Sequence, residues 1–159
     1  MRSAEDILQL VQQEIRQGLH DSFPMLSKTT PGNPVPLFDA QQRQRYWLIP
    51  FLLSDRVRGL AIFDLTGRLI SHGVLAPNVT NESRLIAETF FEAVPSKALE
   101  EIRQEYGGFR FTPPFLSYDD TPRRWAWLLR LEKETAEQRS IFIGPQGWYE
   151  KRDPSEREG

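Results

Sequence analysis

Residues 45–74 read RYWLIPFLLSDRVRGLAIFDLTGRLISHGV, and this stretch from Arg45 to Val74 decides the fold. Tyr46 to Leu53 is a nearly unbroken apolar run, closed by the polar turn Ser54-Asp55-Arg56. Val57 to Phe63 is a second β-rich run, and Asp64-Leu65-Thr66-Gly67 is a turn signal leading into a third, Arg68 to Val74. Short apolar runs bounded by turn residues predict strands rather than helix. A Gly at the last turn position suits a hairpin residue that needs positive φ. The stretch therefore predicts three consecutive antiparallel strands. Pro50 cannot donate to a ladder, so the first of them is expected to be an edge strand there, or bulged. Trp47, Ile49, Phe51 and Leu53 share one face, and Tyr46, Leu48 and Leu52 share the other. Both faces are apolar, so each needs a cover: helices over one, loops or a second subunit over the other.

Working outward, Ser3 is placed to cap a first helix, with Glu5 and Asp6 in its first turn. Ile7, Leu8, Val11, Ile15 and Leu19 fall on one stripe, which extends that helix to about Leu19. Asp21 to Gln44 holds Pro24, Pro31, Pro34 and Pro36 and reads as a long connection, with a short extended piece at Val35-Phe38. After the three strands, Thr80 or Asn81 is placed to cap a helix over 81–94, carrying Leu85, Ile86, Thr89, Phe90, Ala93 and Val94 on one face. Pro95 ends it, and Ser96 is placed to cap a third helix that Gly107-Gly108 terminates. Phe109 and Phe111 suggest a short strand. Tyr118-Asp119-Asp120-Thr121-Pro122 is a turn-rich connector. Arg124 to Glu132 alternates, with Trp125, Trp127, Leu129 and Leu131 on one face, as a half-exposed strand does. Lys133 to Gln138 is its hairpin loop, Ser140 to Ile143 a strand, Gly144-Pro145-Gln146-Gly147 a turn, and Trp148-Tyr149 the start of a last strand. The expected fold class is α+β, an antiparallel sheet or sheets with helices packed on one face. Residues 1–152 form one domain and 153–159 a disordered tail.

Composition narrows the function classes. The chain has 159 residues, 39% of them hydrophobic and 11% aromatic, enough to fill a core. A net charge of −2 gives no global pull toward nucleic acid or an anionic membrane. With no cysteine, disulfides, thiolate metal sites and cysteine nucleophiles are out. The N-terminus is unlike a signal peptide, and no apolar run approaches the roughly 20 residues a bilayer span needs. The expected location is cytoplasmic.

The chain hints at an internal repeat, 3–75 and 96–151, each half reading helix, loop and three antiparallel strands. Ile15-Arg16-Gln17 matches Ile102-Arg103-Gln104, and Arg45-Tyr46-Trp47 loosely matches Arg123-Arg124-Trp125. Matching Trp47 with Trp125 requires a second hairpin loop two residues longer than the first. A half of this form, with its Trp-bearing hairpin and the turns Asp64-Leu65-Thr66-Gly67 and Gly144-Pro145-Gln146-Gly147, resembles a PepSY or cystatin-like α-β-β-β unit over 3–20 with 45–75, and over 96–151. Such units are mostly extracytoplasmic or membrane-associated, unlike the location expected here, so no peptidase-inhibitor role is carried over. Val57 to Ile70, followed by a helix and three strands, is also similar to the roadblock/LC7 order β-β-α-β-β-β. That resemblance implies dimers and the scaffolding of small GTPases. The strand at 46–53 and the break at Pro95 depart from it.

Residues able to carry chemistry are few. His20 and His72 are the only histidines, without metal-ligand spacing; pairing with Asp21 or Asp64 would be their route to a function. Asp119-Asp120 is a carboxylate pair that, before Thr-Pro, reads as a turn. No phosphate-loop, dinucleotide or nucleophile-elbow motif occurs, which leaves an enzyme open but gives it no motif; no cofactor and no metal are expected. Asn78 and Asn81 match the glycosylation pattern, and helix capping accounts for Thr80 and Asn81 better. Arg43, Arg45, Arg56, Arg58 and Arg68 near the first hairpin, and Arg110, Arg123, Arg124, Arg130 and Arg139 near the second, could form a nucleic-acid platform. The net negative charge argues for a solvated face instead.

The expected function is a non-catalytic protein- or peptide-interaction module, self-associating as a homodimer or adding a partner strand at an open edge along Tyr46–Leu53. Its candidate contact residues are Arg45, Tyr46, Trp47, Arg124, Trp125, Trp127 and Trp148, since Trp and Arg are enriched at hot spots. The alternative is a small-molecule-binding protein or enzyme with a pocket under the curved sheet, with Asp64, His72, Tyr118 and Asp119 as its polar groups.

Overall fold

The structure, a computed structural model, describes residues 1–151. The tail expected from Asp153 onward lies outside them. Among the described residues, two antiparallel sheets and two α-helices make an α+β fold.

Helix α1 spans Ala4–Arg16. Its start follows from a capping box: the Asp6 amide donates to Ser3 Oγ at 3.2 Å, and the Ser3 amide donates to Asp6 Oδ2 at 3.1 Å. It stops short of the predicted Leu19. The amide of Gly18 bonds to the Ile15 carbonyl at 3.1 Å and that of Leu19 to the Glu14 carbonyl at 2.9 Å, so the last carbonyls are satisfied by a turn that ends the helix.

The first sheet contains β1 (Thr30–Pro31), β2 (Val35–Phe38), β3 (Gln44–Leu53), β4 (Arg56–Asp64), β5 (Leu69–Val74) and β6 (Ile86–Ala87). β3, β4 and β5 are the three predicted strands, and β2 is the predicted extended piece. Gly67, at φ +95°, closes the β4–β5 turn as its position requires. β3 is not an edge strand. β4 flanks it on one side and β1 and β2 on the other. Pro50 is accommodated at the seam between them, because β2 pairs no further along β3 than Leu48 and β1 takes over at Phe51. The Pro50 carbonyl still accepts the Gly32 amide at 2.8 Å. The bulge falls one step on, between Phe51 and Leu52. The open edge expected along Tyr46–Leu53 is therefore absent.

The predicted helix over 81–94 does not form either. Short 3₁₀ turns at Glu82–Arg84 and Glu88–Phe91 flank β6, which pairs with Arg56 and Val57 at the end of β4. β5 reaches β4 only from Gly59 to Phe63, so the start of β4 has a vacant ladder position. Filling it satisfies backbone groups that an isolated helix of this length would not stabilise on its own.

Helix α2 spans Ser96–Glu105; Pro95 occupies the cap position, and Ser96 is already helical rather than capping. The second sheet holds β7 (Arg110–Phe111), β8 (Phe115–Tyr118), β9 (Trp125–Glu132), β10 (Gln138–Gly144) and β11 (Gly147–Glu150). β8 is not anticipated from sequence, and it includes Tyr118, expected to begin the turn-rich connector. The two sheets follow one path. Thr30 pairs with Leu52 and Arg110 with Glu132, Val35 with Leu48 and Phe115 with Leu128, Trp47 with Phe63 and Trp127 with Ile143, each pair recurring 80 residues on. By these registers Trp47 corresponds to Trp127 rather than to Trp125, and no longer hairpin loop is needed.

Trp47, Ile49, Phe51, Ala61 and Phe63 on one face of the first sheet pack with Ile7 and Val11 of α1 and with Leu26. The opposite face, through Leu48, Leu60 and Ile62, enters a larger core. Trp127, Leu129, Leu131, Ile141 and Ile143 of the second sheet and Ala98 and Ile102 of α2 complete that core. β2 runs beside β8, with Phe38 against Phe115 and Tyr46 against Tyr118. On its other face the second sheet buries Ala126, Leu128 and Phe142, with Arg130 over the Phe115 ring and Lys151 over the Phe142 ring. Among the described residues no helix is long and apolar enough to cross a membrane.

Candidate functional site

Where the connection 75–95 passes the end of the second sheet, it leaves an open cleft of about 940 Å³. Leu75, Val79, Leu85, Ile86 and Phe90 form one wall; Trp125, Trp148, Tyr149 and the Gly144–Gly147 turn form the other. Two arginines of β4 hold the first wall. Arg56 donates to the Leu85 carbonyl at 3.1 Å, and Arg58, itself buried, donates to the Val79 carbonyl at 3.0 Å. The Asn81 side chain accepts the Ser83 amide at 3.1 Å and starts the 3₁₀ turn that precedes Leu85. Trp127 donates its indole N–H to the Phe90 carbonyl at 2.8 Å, and Phe90 and Phe91 pack against Trp125 with ring centroids 5.8 and 5.2 Å away. Phe90 and Trp125 thus give the cleft an aromatic lining, with the Phe90 backbone tied to Trp127.

Among the described residues, Arg84 and Arg124 are the charged residues of the cleft, and no carboxylate lines it. Arg84 is exposed and makes no ion pair among the described residues. Arg124 is held at 3.0 Å from Oδ2 of Asp119, a buried carboxylate behind the rim. Tyr149 donates to the same oxygen at 2.6 Å, and Lys151 Nζ lies 2.9 Å from Oδ1. Burial acts to raise the Asp119 carboxyl but is outweighed by the hydrogen bonds from Tyr149 and Lys151 and by the charges of Lys151 and Arg124, so its pKa is lowered. The hydrogen bond to Asp119 raises the Lys151 ammonium, and burial together with the Asp119 contact raises the Tyr149 phenol. The cluster keeps fixed charges across neutral pH, which suits holding a group in place rather than exchanging protons.

The histidines meet each other. His20, just after α1, places Nδ1 2.9 Å from Nε2 of His72 on β5, with the rings stacked at 5.0 Å. Phe51 meets both rings edge-on, and Phe23 meets His72. Burial lowers the pKa of His20; burial, and secondarily the neighbouring His20, lower His72 to about 4. Both rings are neutral at pH 7 and share one N–H between the facing nitrogens. No group of three or more His, Cys, Asp or Glu side chains able to hold a metal occurs among the described residues.

The residues singled out from sequence divide accordingly. Arg124, Trp125 and Trp148 line the cleft. Trp47 and Trp127 are buried core residues, each with its indole N–H on a backbone carbonyl, Arg2 at 3.3 Å and Phe90 at 2.8 Å. Tyr46 is half-buried against Tyr118, and Arg45 is exposed away from the cleft lining. Asp64, His72, Tyr118 and Asp119 do not line the cleft. Asp64 stays in its turn, accepting from Thr66 and Arg68, and the Thr66 hydroxyl is the main cause of its lowered pKa. Tyr118 is raised chiefly by burial. Arg43, Arg56, Arg110, Arg124 and Arg139 pair with carboxylates, which breaks up the arginine platform. The wall residues Leu75, Val79 and Leu85 were missed because their segment reads as a connector and a helix. The turn residues Pro77 and Asn81 are the only local sign of an irregular wall.

In comparisons with known proteins, no family model, no curated protein and no solved structure matches the chain.

Proposed function

We propose that this protein is a non-catalytic protein- or peptide-interaction module and that the cleft between the 75–95 connection and the second sheet receives the partner. The observation that supports this is the combination of an open, largely apolar lining that includes Trp125 and Trp148, and two arginines with no lining carboxylate among the described residues. Aromatic and Arg side chains in a concave, water-excluding patch are what interface hot spots are made of. The fixed charges of Asp119 and Lys151, with Tyr149 held as a neutral phenol, favour binding over acid–base chemistry.

The test is a selection of displayed random peptides on the wild-type protein, counter-screened on Thr89→Arg. Thr89 is an exposed lining residue, so a long cationic side chain there obstructs the cleft without touching the core. Enriched peptides should bind the wild type and lose the variant, with the melting temperature unchanged. Peptides that bind both equally would place the interaction elsewhere. Native mass spectrometry of the protein isolated gently from its own cells gives the second arm. A retained protein partner or a dimer supports the interaction function, and a stoichiometric small-molecule adduct favours a pocket function instead.

A further inference from the structure

We infer that the occupant of the cleft is an extended segment of a partner protein, apolar residues interleaved with carboxylates, which adds as a strand to the free edge of β11. The inference rests on the cleft being the partner site.

Its first support is backbone geometry. β11 is the terminal strand of the second sheet and pairs only with β10 among the described residues. The Lys151 amide bonds to the Ser140 carbonyl at 2.9 Å. In an antiparallel ladder, inward-facing and outward-facing amides alternate, so Tyr149 and Gly147 also turn toward β10. Trp148 and Glu150 then present their N–H and C=O groups outward. Successive side chains of a strand project to opposite faces. A cleft lined by both Trp148 and Tyr149 therefore meets β11 on its edge, not on one face. The same holds for Ile86 and Ala87 of β6, which among the described residues pairs only with β4. Two strand edges with unpaired backbone groups border one apolar cleft, which is the arrangement used in strand addition.

The second support is charge. The chain carries a net charge of −2, yet among the described residues the ionised side chains of the cleft lining are Arg84 and Arg124. A segment with carboxylates beside its apolar residues meets Arg84, which has no ion pair among the described residues. A basic segment would meet the uncompensated charge of Arg84, while Arg124 is already paired with Asp119.

The probe is a capped heptapeptide alternating glutamate with leucine and valine. It is compared with its lysine counterpart and with a version N-methylated at alternate amides. Calorimetric titration and amide hydrogen exchange on the full chain are the readouts. The glutamate peptide should protect the Trp148 and Glu150 amides and lose binding to Thr89→Arg. Lysine substitution or N-methylation should each weaken it about tenfold or more, as expected for losing a charge pair or backbone hydrogen bonds. Equal binding of the lysine peptide overturns the charge preference. Equal binding of the N-methylated peptide, or unprotected Trp148 and Glu150, overturns strand addition. A concentration-dependent dimer protecting the same two amides replaces the foreign segment with a second copy and overturns the choice of occupant. If displayed peptides bind at the cleft but this series does not, the segment chemistry fails and the cleft stands. If binding is indifferent to Thr89→Arg throughout, the cleft itself fails.

Discussion

The His20–His72 pair predicts an acid sensitivity that can be worked out in sign and size. His72 has its pKa lowered to about 4 by burial and by His20, against an ordinary value of 6.5. Between those two values the unfolded chain binds the proton and the folded one does not, so stability is full above pH 6.5 and is lost as pH falls toward 4. The full shift corresponds to a ceiling of about 3 kcal/mol. His72 is only part-buried, so water screens it and about 1–2 kcal/mol is the expected loss. The perturbation is His72→Gln, which keeps an acceptor for His20 Nδ1–H but cannot titrate. Urea unfolding of both proteins at pH 7 and pH 4.5 is the assay. The wild type should lose about 1–2 kcal/mol more than the variant over that interval. Ordinary carboxylates titrate mostly below it and are common to both proteins. Parallel losses would refute a neutral buried pair, and a wild type that gains stability on acidification would mean the histidines are charged in the fold.

Three further outcomes follow from particular contacts. Trp127→Phe leaves the buried Phe90 carbonyl without its donor and should cost about 1–3 kcal/mol in chemical denaturation. Gly59→Ala puts a Cβ 2.6 Å from the Gly73 carbonyl oxygen and from Leu26 Cδ2, and should destabilise by about 1–3 kcal/mol. Gly73→Ala, whose Cβ would have nothing within 4 Å, should be close to neutral in the same measurement. Asp119→Asn removes the charge that Arg124, Tyr149 and Lys151 converge on and should cost about 1–3 kcal/mol at pH 7. Because the Asp119 pKa is lowered on folding, its stabilisation is lost in acid, and the gap to the variant should close below the ordinary carboxylate range.

What could be read from sequence was what short-range physics decides. The hairpin strands from Tyr46 to Val74, the Ser3 cap and the Gly67 turn depend on neighbours in the chain, and all three are present. Residues 81–94 misled because Leu85, Ile86, Thr89, Phe90 and Ala93 repeat at helical spacing. A vacant ladder position on β4, invisible from the local sequence, claimed Ile86 and Ala87 instead. Pro50 misled for a related reason: a missing donor marks a sheet edge only if the neighbouring strand is continuous, and here that neighbour is split into β1 and β2. Trp125 and Trp148 were singled out by residue type alone, and only the path of the connection sets them on a cleft beside Arg84. The histidines lie 52 residues apart, so nothing local announced their contact.

The shared core has a consequence for biosynthesis. Leu48, Leu60 and Ile62 belong to the first half of the chain, but the residues that cover them include Ile141 and Ile143. A ribosome adds about 5–20 residues per second, so the roughly 80 residues from Ile62 to Ile143 take roughly 4–16 s to appear. During that interval the nascent first sheet shows a bare aliphatic face to the cell. Chaperone binding to this half-made chain, and aggregation of any product truncated before Gln138, are the costs of a first sheet that covers one face with α1 and leaves the other to be covered by the second sheet.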